Sequence, residues 1–466
     1  MKVAVVTLGC DKNTVDSERY LAELSDRGAQ PTSDPEDADV ILVNTCGFID
    51  AAKKESIDAI VEAGRLKASG HARAVVAVGC MVERHRAELE DALPEVDLFL
   101  GASEMDRLVP ELLDRGFIHE APVVHPGIRV FAGEARHVRY LKVSEGCDHG
   151  CAFCAIPLMR GRHRSFSLED IVREAQLLEA QGAREVNLVA QDLAHWGRDL
   201  RRVSSSDESL SLLLETLLRE TSVPWFRMLY LYNAGITSRL LELVAGERRI
   251  VPYFDMPIQH AADEVLTRMR RPERNRTIRD KVARIRQVVP DVAIRTTCIV
   301  GFPGETDADF QTLLSLLEDV QFDRVGAFTY SPQEGTAAHA LADDVPESLK
   351  LERLERLAEL QNAITADRFE DRVGRCVDAI VDRVDDHGVE ARTIWQAHDI
   401  DGVTRIGLDG AAHRPGDLLT VRVQSVEDDV DLIASVERVL SRAAAWAAPA
   451  ARGRALPLMS IGSYGR

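Results

Sequence analysis

Residues 147–154 read CDHGCAFC and set Cys147, Cys151 and Cys154 in a CxxxCxxC spacing. Three thiolates so spaced can hold three irons of a cubic iron–sulfur cluster and leave the fourth iron without a protein ligand, open to chemistry. A structural zinc site is the competing reading, but such sites take four ligands, in CxxC pairs or with histidines at ligand spacing. His149 lies between the first two cysteines and would have to fold back to reach the same metal. A cluster that only carries electrons or braces a fold takes four cysteines and needs no open iron.

Working outward, the cysteine run follows the first of six short β runs, at residues 140–143, 185–191, 226–232, 253–258, 293–300 and 324–330, with helical segments between them. Six βα units predict a (β/α)6 partial TIM barrel over 136–365, in which ligand-binding loops lie at the carboxyl ends of the strands. The CxxxCxxC run is on that face. Gln191 and Asp192, Gln259 and His260, and the turn Gly301-Phe302-Pro303-Gly304-Glu305 are expected at the same mouth, where glycines let a ligand approach the backbone. Gln191, Gly301, Gly304 and Glu305 are therefore the candidate cofactor-binding residues outside the cysteines.

Upstream, residues 1–115 alternate β runs (3–7, 40–44, 74–78) with amphipathic helical segments, one of them at 16–27, and read as an α/β unit with a parallel sheet. Cys10, Cys46 and Cys80 each follow a strand directly, and the carboxyl ends of parallel strands open on one crevice. Single buried cysteines commonly act as small hydrophobes. Three at equivalent strand ends, each beside a glycine, point instead to a second metal cluster. Downstream, residues 370–438 read as short β segments with turns at Asp386-His387-Gly388, Asp401-Gly402 and Pro415-Gly416, a small all-β barrel of the kind that contacts macromolecules. The tail, 443–466, is rich in Ala, Gly and Pro and is expected to be disordered. Cys298 sits in the apolar run TTCIV and reads as core; Cys376 opens the C-terminal module. The chain is thus α/β with three units.

Charge and cysteine usage bound the function. With 57 basic against 76 acidic residues the formal net charge is −19, a poor footprint for an autonomous nucleic-acid binder and a better one for meeting a basic partner. Within 370–438 there are 16 acidic and 8 basic residues, a balance of −8, opposite to what RNA phosphates require. Eight cysteines spread over 466 residues are not a disulfide framework, the opening apolar run is too short for a signal peptide, and no run of 18 apolar residues appears. A reducing cytoplasm is the expected location, with no membrane span.

A cluster with an open iron can bind S-adenosylmethionine (SAM), cleave its sulfonium by electron transfer and yield a 5′-deoxyadenosyl radical, with the protein positioning the reactants. At this point the chain resembles the radical SAM methylthiotransferases. The resemblance covers residues 1 to about 438 and is carried by LGCDKNTVDSE (8–18), VNTCGFIDAAKKESI (43–57), SEGCDHGCAFCAIPLMRG (144–161), IVGFPGET (299–306) and DRVGAFTYSPQEGT (323–336). Asp11 stands where the family usually has Pro, and RGRHRSF (160–166) where it usually has RGxxxSR. The resemblance implies two 4Fe-4S clusters, one on Cys10, Cys46 and Cys80 and one on Cys147, Cys151 and Cys154, and a C-terminal module like the TRAM domain. It also implies sulfur insertion at a C–H bond with methylation from a second SAM, and an electron donor such as flavodoxin or ferredoxin. The nearest branch modifies an aspartate of small-subunit ribosomal protein twelve. A related branch modifies adenosine in transfer RNA and shares all six cysteines, so only the acidic C-terminal module favours the protein substrate.

Overall fold

The computed structural model describes residues 1–119, 129–130, 136–202, 208–408, 410–428 and 430–444. Most of the tail expected to be disordered, and Asp429, lie outside the described residues.

Branched apolar runs with both faces covered give buried parallel strands. In the N-terminal unit these are Lys2–Thr7, Gln30–Pro31, Val40–Thr45, Ala74–Gly79 and Leu98–Gly101, all parallel, with Lys2–Thr7 between Gln30–Pro31 and Val40–Thr45 and the others following in chain order. The order reverses between the strands Lys2–Thr7 and Val40–Thr45, and a doubly wound sheet binds ligands in the crevice at such a switch point. Cys10 and Cys46 sit at the carboxyl ends of those two strands, and Cys80 opens the helix after the next one. The first helix runs Asp11–Ser25, five residues ahead of its expected start.

The central unit places Val138–Lys142, Glu185–Val189, Trp225–Met228, Ile250–Asp255, Ala293–Val300 and Arg324–Thr329 side by side in chain order, all parallel, as an open six-stranded sheet wrapped by helices. Its apolar core includes Cys298, fully buried, as expected of a core residue. The third strand ends at Met228, short of the expected Tyr232, because Tyr230 turns into positive φ (63°) and its amide bonds the Asp255 carboxylate at 3.0 Å. The strands Cys376–Asp385, Gly388–Thr393, Thr404–Ile406, Leu418–Glu427 and Asp431–Ser441 form a closed barrel. Its core is continuous with Trp225, Val251 and Tyr253 of the central unit. No described helix is long and apolar enough to cross a membrane.

Candidate functional site

The loop after the first barrel strand carries Cys147, Cys151 and Cys154. It is built on a turn only glycine can make: Gly146 has φ +74°, and a Cβ there would lie 2.2 Å from the Arg162 carbonyl oxygen. The loop is pinned by amide bonds from Cys147 to the Gly161 carbonyl (3.1 Å), from Ala152 to Met269 (2.9 Å) and from Ala338 to Ala152 (2.7 Å). Phe302 packs with Ala152 and Phe153 behind it. His149 does not fold back onto the thiols. Its ring stacks on Tyr232 with centroids 3.8 Å apart, and its Nε2 bonds the Asp192 carboxylate at 2.5 Å. His195 bonds the same carboxylate oxygen. Burial pushes Asp192 up, but the two imidazoles outweigh it and hold the carboxyl at about 2.

The other triad assembles at the sheet's switch point. Gly9 has φ +95°, and a Cβ there would sit 2.8 Å from Cys46 Cβ, so glycine is what lets the Cys10 turn lie against Cys46. Asn13, fully buried, ties the strand ends together: its Nδ2 donates to the Leu8 and Thr45 carbonyls at 2.6 and 3.2 Å, and its Oδ1 lies 3.9 Å from Cys80 Sγ. Each triad interacts electrostatically within itself. Burial pushes Cys46 and Cys154 up to about 12 and Cys147 to about 11. Thiols so perturbed become thiolate ligands only beside a cation, which a metal cluster supplies.

A single zinc ion does not suit either cysteine triad. Three thiolates on one tetrahedral zinc at about 2.3 Å would lie roughly 3.8 Å apart. Among the described residues only His149, Asp192 and His195 bring three ligand atoms within 4.8 Å of one another; neither cysteine triad is that compact. The two triads are neighbours across the domain boundary. Cys80 packs on Ala155 and Met159, in the segment that directly follows Cys154.

Two buried arginines that the sequence reading passed over touch these thiols. Arg160 reaches Cys80 Sγ with its Nε at 3.0 Å, and Arg271 reaches Cys151 Sγ at 3.7 Å while lying 4.2 Å over the Tyr232 ring. Gln191 Nε2 donates to Glu145 at 2.7 Å, leaving Gln191 Oε1, like Asp192 Oδ1, buried without a partner. Gly301 to Glu305 behave differently. The Glu305 carboxylate faces its own loop, accepting from the Gly301 and Phe302 amides (2.8 and 3.3 Å) and from Arg353 (2.9 Å). A Cβ at Gly301 would meet Lys350 at 2.3 Å and one at Gly304 would lie against Arg268, so this turn packs closely against its neighbours.

Residues 2–101 match the model of the uncharacterized protein family UPF0004, 141–317 the radical SAM superfamily and 373–436 the TRAM domain. The chain is 41% identical over 472 residues to the ribosomal protein uS12 methylthiotransferase RimO of Anaeromyxobacter sp. (strain K), covering 97% of this chain and 98% of the relative. The chain belongs to the RimO family. To the RimO of Aquifex aeolicus it is 40% identical, over 92% of this chain and 96% of the relative. It is a radical SAM methylthiotransferase, and the cofactors of that chemistry are two 4Fe-4S clusters and SAM. Among solved structures, the radical SAM methyltransferase TsrM of Kitasatospora setae, with tryptophan substrate and a SAM analogue bound, aligns with a TM-score of 0.55 at 13% identity. The match covers 78% of this chain and 89% of that one, a likeness of fold.

Proposed function

We infer that the protein inserts sulfur at a C–H bond of an aspartate side chain in ribosomal protein uS12 and methylates it. The observation that carries the sulfur-insertion chemistry is the packing of Cys80 on Ala155 and Met159, which sets the two thiol triads on either side of one boundary, and the acidic C-terminal module carries the choice of a protein target. A radical generator alone needs one cluster, and a second beside it suits a reaction that also joins sulfur to the activated carbon. We assign Cys147, Cys151 and Cys154 to the SAM-binding cluster and Cys10, Cys46 and Cys80 to the other. When bound, the first cluster and SAM supply the 5′-deoxyadenosyl radical that removes hydrogen from unactivated carbon.

The chain's own residues position and exclude. Gln191 Oε1 and Asp192 Oδ1 are orphaned acceptors beside the barrel triad, suited to a cofactor ammonium. His149 and His195 keep Asp192 ionised and fix its direction. We place Gly301, Gly304 and Glu305 one layer out, as the brace of the cysteine loop. Residues 1–115 and 136–365 form the catalytic body, and 370–438 meets the target. The exposed acidic tips of that module, Asp385, Asp386 and Asp428, suit a basic ribosomal protein and oppose RNA. A cytoplasmic setting with a flavodoxin or ferredoxin as electron donor follows from this chemistry. The test is mass spectrometry of uS12 and of transfer RNA from cells with and without the protein: one aspartate of uS12 should gain sulfur and a methyl group. The same addition on adenosine, with uS12 unmodified, would replace this reading by the transfer-RNA one.

A further inference from the structure

Arg160 ends the short helix Ile156–Arg160, six positions after Cys154, yet its partners belong to the other domain. Its side chain is 4% exposed. Nε bonds Cys80 Sγ at 3.0 Å, Nη1 bonds the Asp16 carboxylate at 2.7 Å, and Nη2 bonds Asn13 Oδ1 at 2.5 Å. Glu145 lies 3.4 Å from Nη1, and Lys142 bonds both Asp16 (2.5 Å) and Glu145 (2.6 Å). Two cations and two carboxylates therefore form a buried quartet, neutral in sum, with one guanidinium N–H directed at a thiol of the N-terminal triad.

We propose that Arg160 is a positioning residue that docks the N-terminal triad onto the barrel's cysteine loop and raises the reduction potential of the cluster held there. The proposal rests on the assignment of Cys10, Cys46 and Cys80 as ligands. Reduction adds one electron to a cluster and makes or breaks no bond. A hydrogen bond and a positive charge at a ligand sulfur favour the more negative, reduced state, and hydrogen bonds to sulfur are among the levers that set cluster potentials. Lost, Arg160 leaves the quartet one unit negative beside the cluster. Neutralising Asp16 instead leaves it one unit positive with the bond to Cys80 intact. The two changes must therefore move the potential in opposite directions, which a purely architectural role would not do.

The experiment uses the full chain with Cys147, Cys151 and Cys154 replaced by Ala, reconstituted with iron and sulfide and titrated anaerobically with dithionite, the reduced cluster being followed by electron paramagnetic resonance. Arg160→Gln should lower the ratio of reduced to oxidised cluster at the parent's midpoint at least tenfold, which is 59 mV for a one-electron couple. Asp16→Asn should raise it, and Arg160→Lys should recover most of the loss. Unshifted midpoints in Arg160→Gln and Asp16→Asn, shifts of the same sign, or iron lost from both would assign Arg160 to folding alone and overturn the proposal. A parent that assembles no cluster would take down the ligand assignment itself, a result distinct from any of these.

Discussion

Replacing Glu185 by Gln tests how the C-terminal barrel is joined to the catalytic body. Glu185 opens the second barrel strand, at the amino end, opposite the cysteine loops, where a polar residue serves stability more than chemistry. Its carboxylate is wholly buried between two guanidiniums, Arg227 Nε at 2.7 Å and Arg392 Nη2 of the C-terminal barrel at 2.6 Å. Burial pushes its pKa up, but Arg392 and Arg227 outweigh burial and hold it at about 2. Gln keeps the shape and removes the charge. Arg392 retains Asp382 at 2.6 Å, whereas Arg227 has no other carboxylate among the described residues, its further contacts being the Ile394 carbonyl and the faces of Tyr253 and Trp225. Stranding a buried charge in this way costs about 3–5 kcal/mol. With a urea dependence of about 2 kcal/mol per molar, the transition reported by Trp225 and Trp395 fluorescence should fall by roughly 1.5–2.5 M. The pH dependence follows from the sign of the shift. A depressed folded-state pKa gives stability that is present above the unfolded value near 4.3 and is lost as pH falls toward 2, on the order of 3 kcal/mol, and Glu185→Gln should lack that acid limb. Breaking the exposed Arg65–Glu62 pair should cost under about 1 kcal/mol. A Glu185→Gln midpoint within 0.3 M of the parent would refute the claim that this triad fastens the two units.

Anaerobically reconstituted protein should bind close to eight irons, and replacing either triad by Ala should halve that; full iron content in the Cys10, Cys46, Cys80 variant would remove the second cluster. Production of 5′-deoxyadenosine should vanish in Cys147→Ala and persist in that N-terminal variant, which should attach no sulfur. Gly9→Ala must place a Cβ 2.8 Å from Cys46 Cβ at positive φ, so it should lose N-terminal cluster absorbance while leaving SAM cleavage intact. Reversing Asp385, Asp386 and Asp428 to Lys, together with Asp429, should weaken binding to uS12 by an amount that shrinks with added salt, as exposed charges do beyond about 10 Å at 0.1 M; a salt-independent effect would point to misfolding instead.

What the sequence disclosed and what it hid divide along a physical line. The six cysteines stood out in the sequence because Cys10, Cys46 and Cys80 each follow a strand and the CxxxCxxC run follows another, and strand ends follow from apolar runs and their punctuation. The start of the first helix did not, because Lys12, Asn13, Asp16 and Glu18 look like a solvated face yet are all buried, Lys12 over the Tyr230 ring, Asp16 against Lys142 and Arg160, and Glu18 against Arg129. The same holds for Arg160 and Arg271. Arg160 lies inside the run SEGCDHGCAFCAIPLMRG and Arg271 far from any such run, but in both cases a lone arginine carries no periodicity, and its meaning comes from a thiol 80 or 120 residues away. The third barrel strand was overrun for another reason: the apolar run continues past Met228 while Tyr230 adopts a positive φ no hydrophobicity pattern records. Glu305 marks the limit of reading roles from loop position. It follows the fifth strand, where a ligand contact is expected, and its carboxylate accepts from two amides and Arg353, partners that loop position does not disclose. Position along the chain locates the mouth of a barrel; the direction of a polar atom is set by the partners that folding brings to it, within one unit for Glu305 and between units for Arg160, where pairing with Asp16 brings a guanidinium of the barrel domain to a thiol of the N-terminal sheet.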